Sequence, residues 1–249
     1  EFDRSLPAWR AVFATMDPTQ CGCPAGEDQK NRLSAAWLKA IDEAFTPSAL
    51  QEHMQEHLAN AFTEHELQSL VETAATPIAR RFSKAMADTN AANAEQTSEA
   101  EATKEFIARF RELEKDKARH LALQGIMAFG RMTEHTTDAI QNTAIGISLG
   151  VMAAQSEGQA TIDEASVVRS IRATRRDTYD VVQAALPITL ASSYSQFTMA
   201  ELKSYEALLK QRLYARSNVV LNEAFQKALR WQGHLIGYRF GHLAKLVDL

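Results

Sequence analysis

Cysteine is nearly missing from this chain. Only Cys21 and Cys23 occur among 249 residues, on either side of one glycine in Asp17-Pro18-Thr19-Gln20-Cys21-Gly22-Cys23-Pro24. No second cysteine pair exists to complete a zinc site, and a disulfide between these two would close a small, strained ring. They are expected as exposed thiols or a surface disulfide in an oxidising compartment, with a redox or metal role as the alternative. Glycine and proline are scarce as well, 10 and 6 residues, roughly half the usual combined share of about 12%. With so few turn and bulge residues a β-rich fold has little support, and the expected class is all-α. A surplus of charge is also lacking. Lys and Arg number 27 against 31 Asp and Glu, a net charge of −4, without the basic stripe that nucleic-acid binding requires. Long apolar runs are absent too. The longest, Ala144 to Ala154, contains Ser148 and two glycines and spans 11 residues, against about 20 for a membrane span. Nucleophile-elbow and Gly-rich phosphate-loop motifs do not occur, so no catalytic residue and no cofactor is expected.

Apolar content of 45% is enough to bury a sizeable core. Leu33, Trp37, Ile41 and Ala44 recur at helical spacing, and Thr46-Pro47 then restarts the chain as a helix. From Asp88 to Glu101 no apolar residue exceeds alanine in size, so 88–101 is expected as a polar linker or mobile loop. It would divide an N-terminal helical unit, 1–87, from a C-terminal one, 102–249. Beyond it Phe106, Ile107, Phe110, Leu113, Leu121, Ile126 and Met127 predict one charged amphipathic helix ending near Gly130. A further helix is expected from Thr133 to Gln155, and Thr161 has capping-box spacing to Glu164.

Phe62-Thr63-Glu64-His65-Glu66-Leu67 recurs later in the chain as Phe197-Thr198-Met199-Ala200-Glu201-Leu202. Each copy is a complete helix start. Thr is the N-cap, Glu at the third helical position reaches back to the cap amide, and Phe before the cap staples onto Leu. The recurrence predicts a single helical domain built from two related helical units. After the first copy the chain continues Thr76-Pro77-Ile78-Ala79-Arg80-Arg81-Phe82. Residues 62–86 resemble the bacterial family of exported helical domains catalogued as domain of unknown function 2059, whose members carry Phe-Thr-x-x-Glu-Leu, a Thr-Pro-x-Gly-like turn and a basic-apolar helix. Ala79 stands where that family usually has Gly, and the second copy has no Thr-Pro. The resemblance implies a periplasmic or secreted setting and no reaction. A start at Glu1-Phe2 without Met is expected of a mature exported chain, with a remnant of a cloning site, which commonly encodes Glu-Phe, as the alternative.

Several residues carry candidate chemistry. His53-Met54-Gln55-Glu56-His57 fits the His-x-x-Glu-His pattern of inverted zinc peptidases, with Glu134 as a third ligand. The bland reading is an amphipathic helix with two exposed histidines. Gly233, Gly237 and Gly241 form a ladder of period four in an otherwise helix-favouring segment. Each glycine costs a helix interior about 0.8–1 kcal/mol relative to alanine, so something must offset them. Close approach of another helix is the first explanation, with Gly146 and Gly150 as the matching seam. The alternative is a small apolar ligand in a groove lined by Gly233, His234, Gly237, Tyr238, Gly241 and His242. Arg169, Arg172, Arg175 and Arg176 predict one basic helical face paired with Asp177 or Asp180, or else a site for an acidic partner or lipid headgroup. The functional expectation is a non-catalytic exported protein acting through protein or envelope contacts. Binding of a small apolar ligand between helices is the alternative, and a zinc-dependent hydrolase ranks last.

Overall fold

A computed structural model describes residues 10, 13, 14, 26–95, 99–156 and 162–247. Among these the chain is helical throughout, with no strand. The helices in chain order are α1 (Glu27–Ala44), α2 (Pro47–Ala61), α3 (Glu64–Ala74), α4 (Pro77–Glu95), α5 (Glu99–Lys115), α6 (Lys117–Phe129), α7 (Met132–Ser156), α8 (Glu164–Ala173), α9 (Arg175–Ser193), α10 (Met199–Leu209) and α11 (Arg212–Val247). The described residues fall into two compact units that interleave along the chain. One takes those of Gln55–Thr137 and Arg176–Glu223, the other those of Trp9–Met54, Asp138–Arg175 and Ala224–Leu249.

The boundary expected at 88–101 is not where the chain divides. Helix α4 continues to Glu95 and α5 begins at Glu99. Alanine is the strongest helix former, so an Ala-rich polar stretch can be helical without large apolar residues. The single helix expected from Phe106 to Gly130 is two. Asp116 breaks it with φ −99° and ψ 76°, and its side chain accepts from the Arg119 amide as the N-cap of α6. A short carboxylate that bonds nearby amides favours such a cap over a helix interior. Before α8 the cap is Asp163, which accepts from the Ser166 amide at 2.9 Å, while Thr161 lies outside the described residues. The turn into α7 places Arg131 at φ 48°, with Gly130 just before it in ordinary helical geometry.

In the first unit the core is aromatic. The Phe82 ring stacks on Tyr205 at 4.0 Å and meets Phe197 at 4.0 Å and Tyr194 at 4.6 Å. Leu123, Ile126, Leu190 and Leu202 complete it, all fully buried. Burial pushes the hydroxyls of Tyr194 and Tyr205 well above the ordinary tyrosine range, with neighbouring tyrosines adding to the effect. Helices α6 and α10 lie against each other where Gly125 faces the Glu206 carboxylate. Glu206 in turn pairs with Lys210 at 2.7 Å, and that ammonium sits 4.2 Å from the Phe129 ring centroid.

In the second unit Trp37 and Ile41 pack with Phe13, Leu229, Ile236 and Leu243. The Trp37 indole donates to the Phe13 carbonyl at 2.8 Å and meets the Phe240 ring edge-on. Fully buried Gln232 closes the break between α1 and α2. Its amide donates to the Ala44 carbonyl at 2.7 Å and accepts from the Thr46 amide at 3.1 Å. Satisfying both ends of that amide leaves no orphan polar group where one helix stops and the next starts.

The two glycine seams meet in this unit. A Cβ on Gly233 would touch the Thr143 carbonyl oxygen at 2.8 Å, and one on Gly237 or Gly150 would lie closer than 3.0 Å to the Ile147 or His234 carbonyl. Gly146 faces the Arg230 carbonyl in the same way, and Gly241 faces Ala154 and Val151. The partners advance together, 143 with 233, 147 with 237 and 151 with 241. Helices α7 and α11 therefore run parallel here, backbone against backbone. Dispersion and Cα–H to carbonyl contacts offset the propensity cost of five glycines. Because the obstructing atoms at Gly146, Gly150, Gly233 and Gly237 are backbone, even a methyl group there cannot be accommodated by a rotamer change. Gly237→Ala and Gly150→Ala should each lower stability by about 1–3 kcal/mol in urea denaturation. Gly26→Ala, at a position with nothing within 4 Å, should stay within about 1 kcal/mol of the parent. Equal behaviour of the three variants would refute the close approach.

Candidate functional site

The most fully built polar arrangement lies in the first unit, around the two Phe-Thr-x-x-Glu-Leu boxes. Thr63 and Thr198 are both N-caps in extended geometry, with φ −70° and −73°. The Glu66 amide donates to the Thr63 hydroxyl at 3.3 Å, and the Glu66 carboxylate accepts from the Thr63 amide at 2.9 Å. Glu201 and Thr198 repeat this at 3.3 and 2.8 Å. Both capping boxes are therefore complete, and Phe62 and Phe197 are buried beside them.

An arginine closes each box from outside its own segment. Arg216 of α11 donates to the Glu66 carboxylate at 2.7 Å and to the Ala61 carbonyl at 2.5 Å, with its guanidinium 4.6 Å from the centroid of the Phe62 ring. Arg81 of α4 donates to the Glu201 carboxylate and lies 4.7 Å from the centroid of the Phe197 ring. A planar guanidinium suits this setting because one face stacks on the ring while the edge meets the carboxylate. Neither arginine stood out in the sequence. The signal that could have revealed them is their placement, since Arg81 follows Phe62 at the same distance along the chain as Arg216 follows Phe197.

An open cleft of about 1080 Å³ lies in the same unit, lined by residues of α5, the start of α6 and the end of α9. Several of its charged residues are engaged with the protein itself. Arg119 donates to the carbonyls of Tyr194 and Phe197 at 2.9 and 2.7 Å, satisfying acceptors beyond the end of α9. Arg109 bonds the Ser192 hydroxyl, and Lys115 pairs with Glu112 at 2.7 Å. On α5, Ile107 and Phe110 are 44% and 39% exposed, and Leu121 on α6 is 67% exposed.

The residues singled out from the sequence are distributed otherwise. Gly233, Gly237 and Gly241 face the α7 backbone, so the space along the glycine side of the expected groove is filled by Thr143, Ile147 and Val151. His234 and His242 are half-buried and Tyr238 is exposed, with the Tyr238 and His242 rings edge-to-face at 4.6 Å. Among the described residues no three His, Cys, Asp or Glu side chains come together as a metal site. The side chain of His53 and all of Cys21 and Cys23 lie outside the described residues, and His57 is half-buried on α2. The expected basic face is interrupted, because Thr174 caps the end of α8 and Arg175 opens α9. Arg175 pairs with Asp138 at 2.9 Å and Arg169 lies 4.0 Å from Asp163, in place of the expected Asp177 and Asp180. Comparison with protein families, with curated proteins and with solved structures finds no match for this chain. No helix among the described residues is long and apolar enough to cross a membrane.

The cap carboxylates carry a pH signature. Glu66 is held below its ordinary value of 4.5 first by the Thr63 amide, then by the Thr63 hydroxyl and Arg216. Glu201 is lowered by the Thr198 amide and hydroxyl and by Arg81. A depressed carboxylate contributes stability that is complete above its unfolded value and is lost as pH falls through the folded one. Lowering the pH from the ordinary carboxylate value of 4.5 should therefore reduce the urea midpoint of the parent more steeply than that of Glu66→Gln with Glu201→Gln. Glutamine keeps the capping bonds but carries no charge. Parallel pH profiles would contradict this assignment.

Proposed function

We propose that this chain is a non-catalytic, exported helical protein of the periplasm or cell exterior, built on a duplicated helical unit and acting through contact with a protein or envelope partner. The observation that carries the interaction is α5. It presents Ile107 and Phe110, one turn apart, to solvent on a helix that also bears Arg109, Arg111, Glu112 and Lys115. Large apolar side chains bordered by charges of both signs make up a protein-contact surface. The exported setting rests on the resemblance of residues 62–86 to the domain of unknown function 2059 family. The duplication is supported by the two complete capping boxes, by their matching lengths and by the arginine that closes each one.

Native mass spectrometry with metal analysis tests the functional part. The expected result is the chain in complex with a protein partner, with no bound small molecule and no stoichiometric metal. Ile107→Glu with Phe110→Glu should abolish that complex while leaving the helical content unchanged. A co-purifying apolar molecule, or one zinc per chain lost in His53→Ala with His57→Ala, would overturn the proposal. For the duplication, Thr63→Ala and Thr198→Ala should each cost about 1 kcal/mol. A loss at only one of the two caps would count against equivalent copies.

A further inference from the structure

The correspondence between the two segments runs beyond their boxes. Helices α3 and α10 have 11 residues each and are followed by the C-caps Ala75 and Lys210, with φ −76° and −77°. The next helices open at Pro77 and Arg212, which keep the same offset from each other as the caps Thr63 and Thr198. Backbone bonds of the turns repeat, Arg80 amide to Thr76 carbonyl at 3.0 Å and Ala215 amide to Gln211 carbonyl at 2.8 Å. The arginines that close the caps obey the same offset, but they cross over. Arg81, which follows the first box, closes the second, and Arg216, which follows the second, closes the first. The two contacts match in ring and carboxylate, while Arg216 alone adds a bond to a backbone carbonyl, that of Ala61. Side-chain exposures are 51% and 27% for Arg81 and Glu201, and 50% and 30% for Arg216 and Glu66. A contact in which each partner offers the same groups to the other is isologous, the hallmark of a two-fold relation.

We infer that residues 62–81 and 197–216 dock on each other as an approximate two-fold pair, the exchanged arginine of each selecting the Phe ring and Glu carboxylate of the other as its partner surface. This rests on the reading of the two segments as copies. The docking surface is thus a second copy of the same unit, supplied within one chain. The recognition chemistry is a ring face with a carboxylate at its edge, and each such site takes one guanidinium from the other segment. The relation stops at the core, where Phe82 and Tyr205 stack while their counterparts at the same offset are Ser217 and Leu70.

Double-mutant cycles on the full chain in urea denaturation test the exchange. The variants are Arg81→Gln, Glu201→Gln, Arg216→Gln and Glu66→Gln, since glutamine preserves both capping boxes and all four positions are solvent-accessible. The pairs Arg81 with Glu201 and Arg216 with Glu66 should each show coupling of about two- to five-fold in the folding equilibrium constant. The pairs within one segment, Arg81 with Glu66 and Arg216 with Glu201, should be additive. Coupling within a segment, or additivity at either crossed pair, overturns the two-fold docking. Such a failure leaves the copies themselves to the two Thr→Ala variants and the function to mass spectrometry, so the three readings fail separately.

Discussion

The second unit depends on one constraint, the direct contact of two helix backbones. Along the seam of α7 and α11 the obstructing neighbours of Gly146, Gly150, Gly233 and Gly237 are main-chain atoms. Side chains elsewhere in a core can adjust by changing rotamer, whereas a backbone in contact with a backbone cannot. Five helical glycines would otherwise weaken both helices by about 0.8–1 kcal/mol each. The seam turns that liability into a fixed parallel register. From that register follows the rest of α11, where Gln232 meets the α1–α2 junction, Ile236 enters the core and Arg239 pairs with Glu43.

The first unit is organised differently, by helix ends rather than helix faces. Thr63 and Thr198 satisfy amides that would otherwise be orphaned, and the same Glu66 and Glu201 carboxylates that complete the boxes take a guanidinium from a distant helix. One side chain therefore joins local helix initiation to tertiary pairing. Arg119 acts similarly where α9 stops, and the aromatic cluster of Phe82, Tyr194, Phe197 and Tyr205 fills the space beneath.

The helical class was legible because scarcity of Gly and Pro and apolar residues at helical spacing both point one way. Both N-caps were legible for a local reason, since donor, acceptor and staple lie within a single short segment. The meeting of the glycine seams could be anticipated because two costly small-residue rows in one chain each need a close neighbour. Long-range choices were not legible. Nothing local to Arg81 says that it serves Glu201 instead of Glu66, nor does anything around Gln232 announce Ala44 and Thr46. The break at Asp116 was hidden by an apolar period that continues across it. The interleaved division of the chain escaped notice because a polar, alanine-rich stretch looks like a linker by composition while favouring helix by propensity. For the candidate site, charge spacing around Arg175 suggested local partners, and folding supplied Asp138 instead.

The parallel backbone contact of α7 and α11 is the claim on which the second unit rests, and proton nuclear Overhauser spectroscopy on the labelled protein reads it directly. Cross-peaks should join the α-protons of Gly237 to that of Ile147 and those of Gly241 to that of Val151, because each pair lies across the seam. Absence of both, or cross-peaks in the reverse order that link Gly233 to Val151, would contradict the parallel seam.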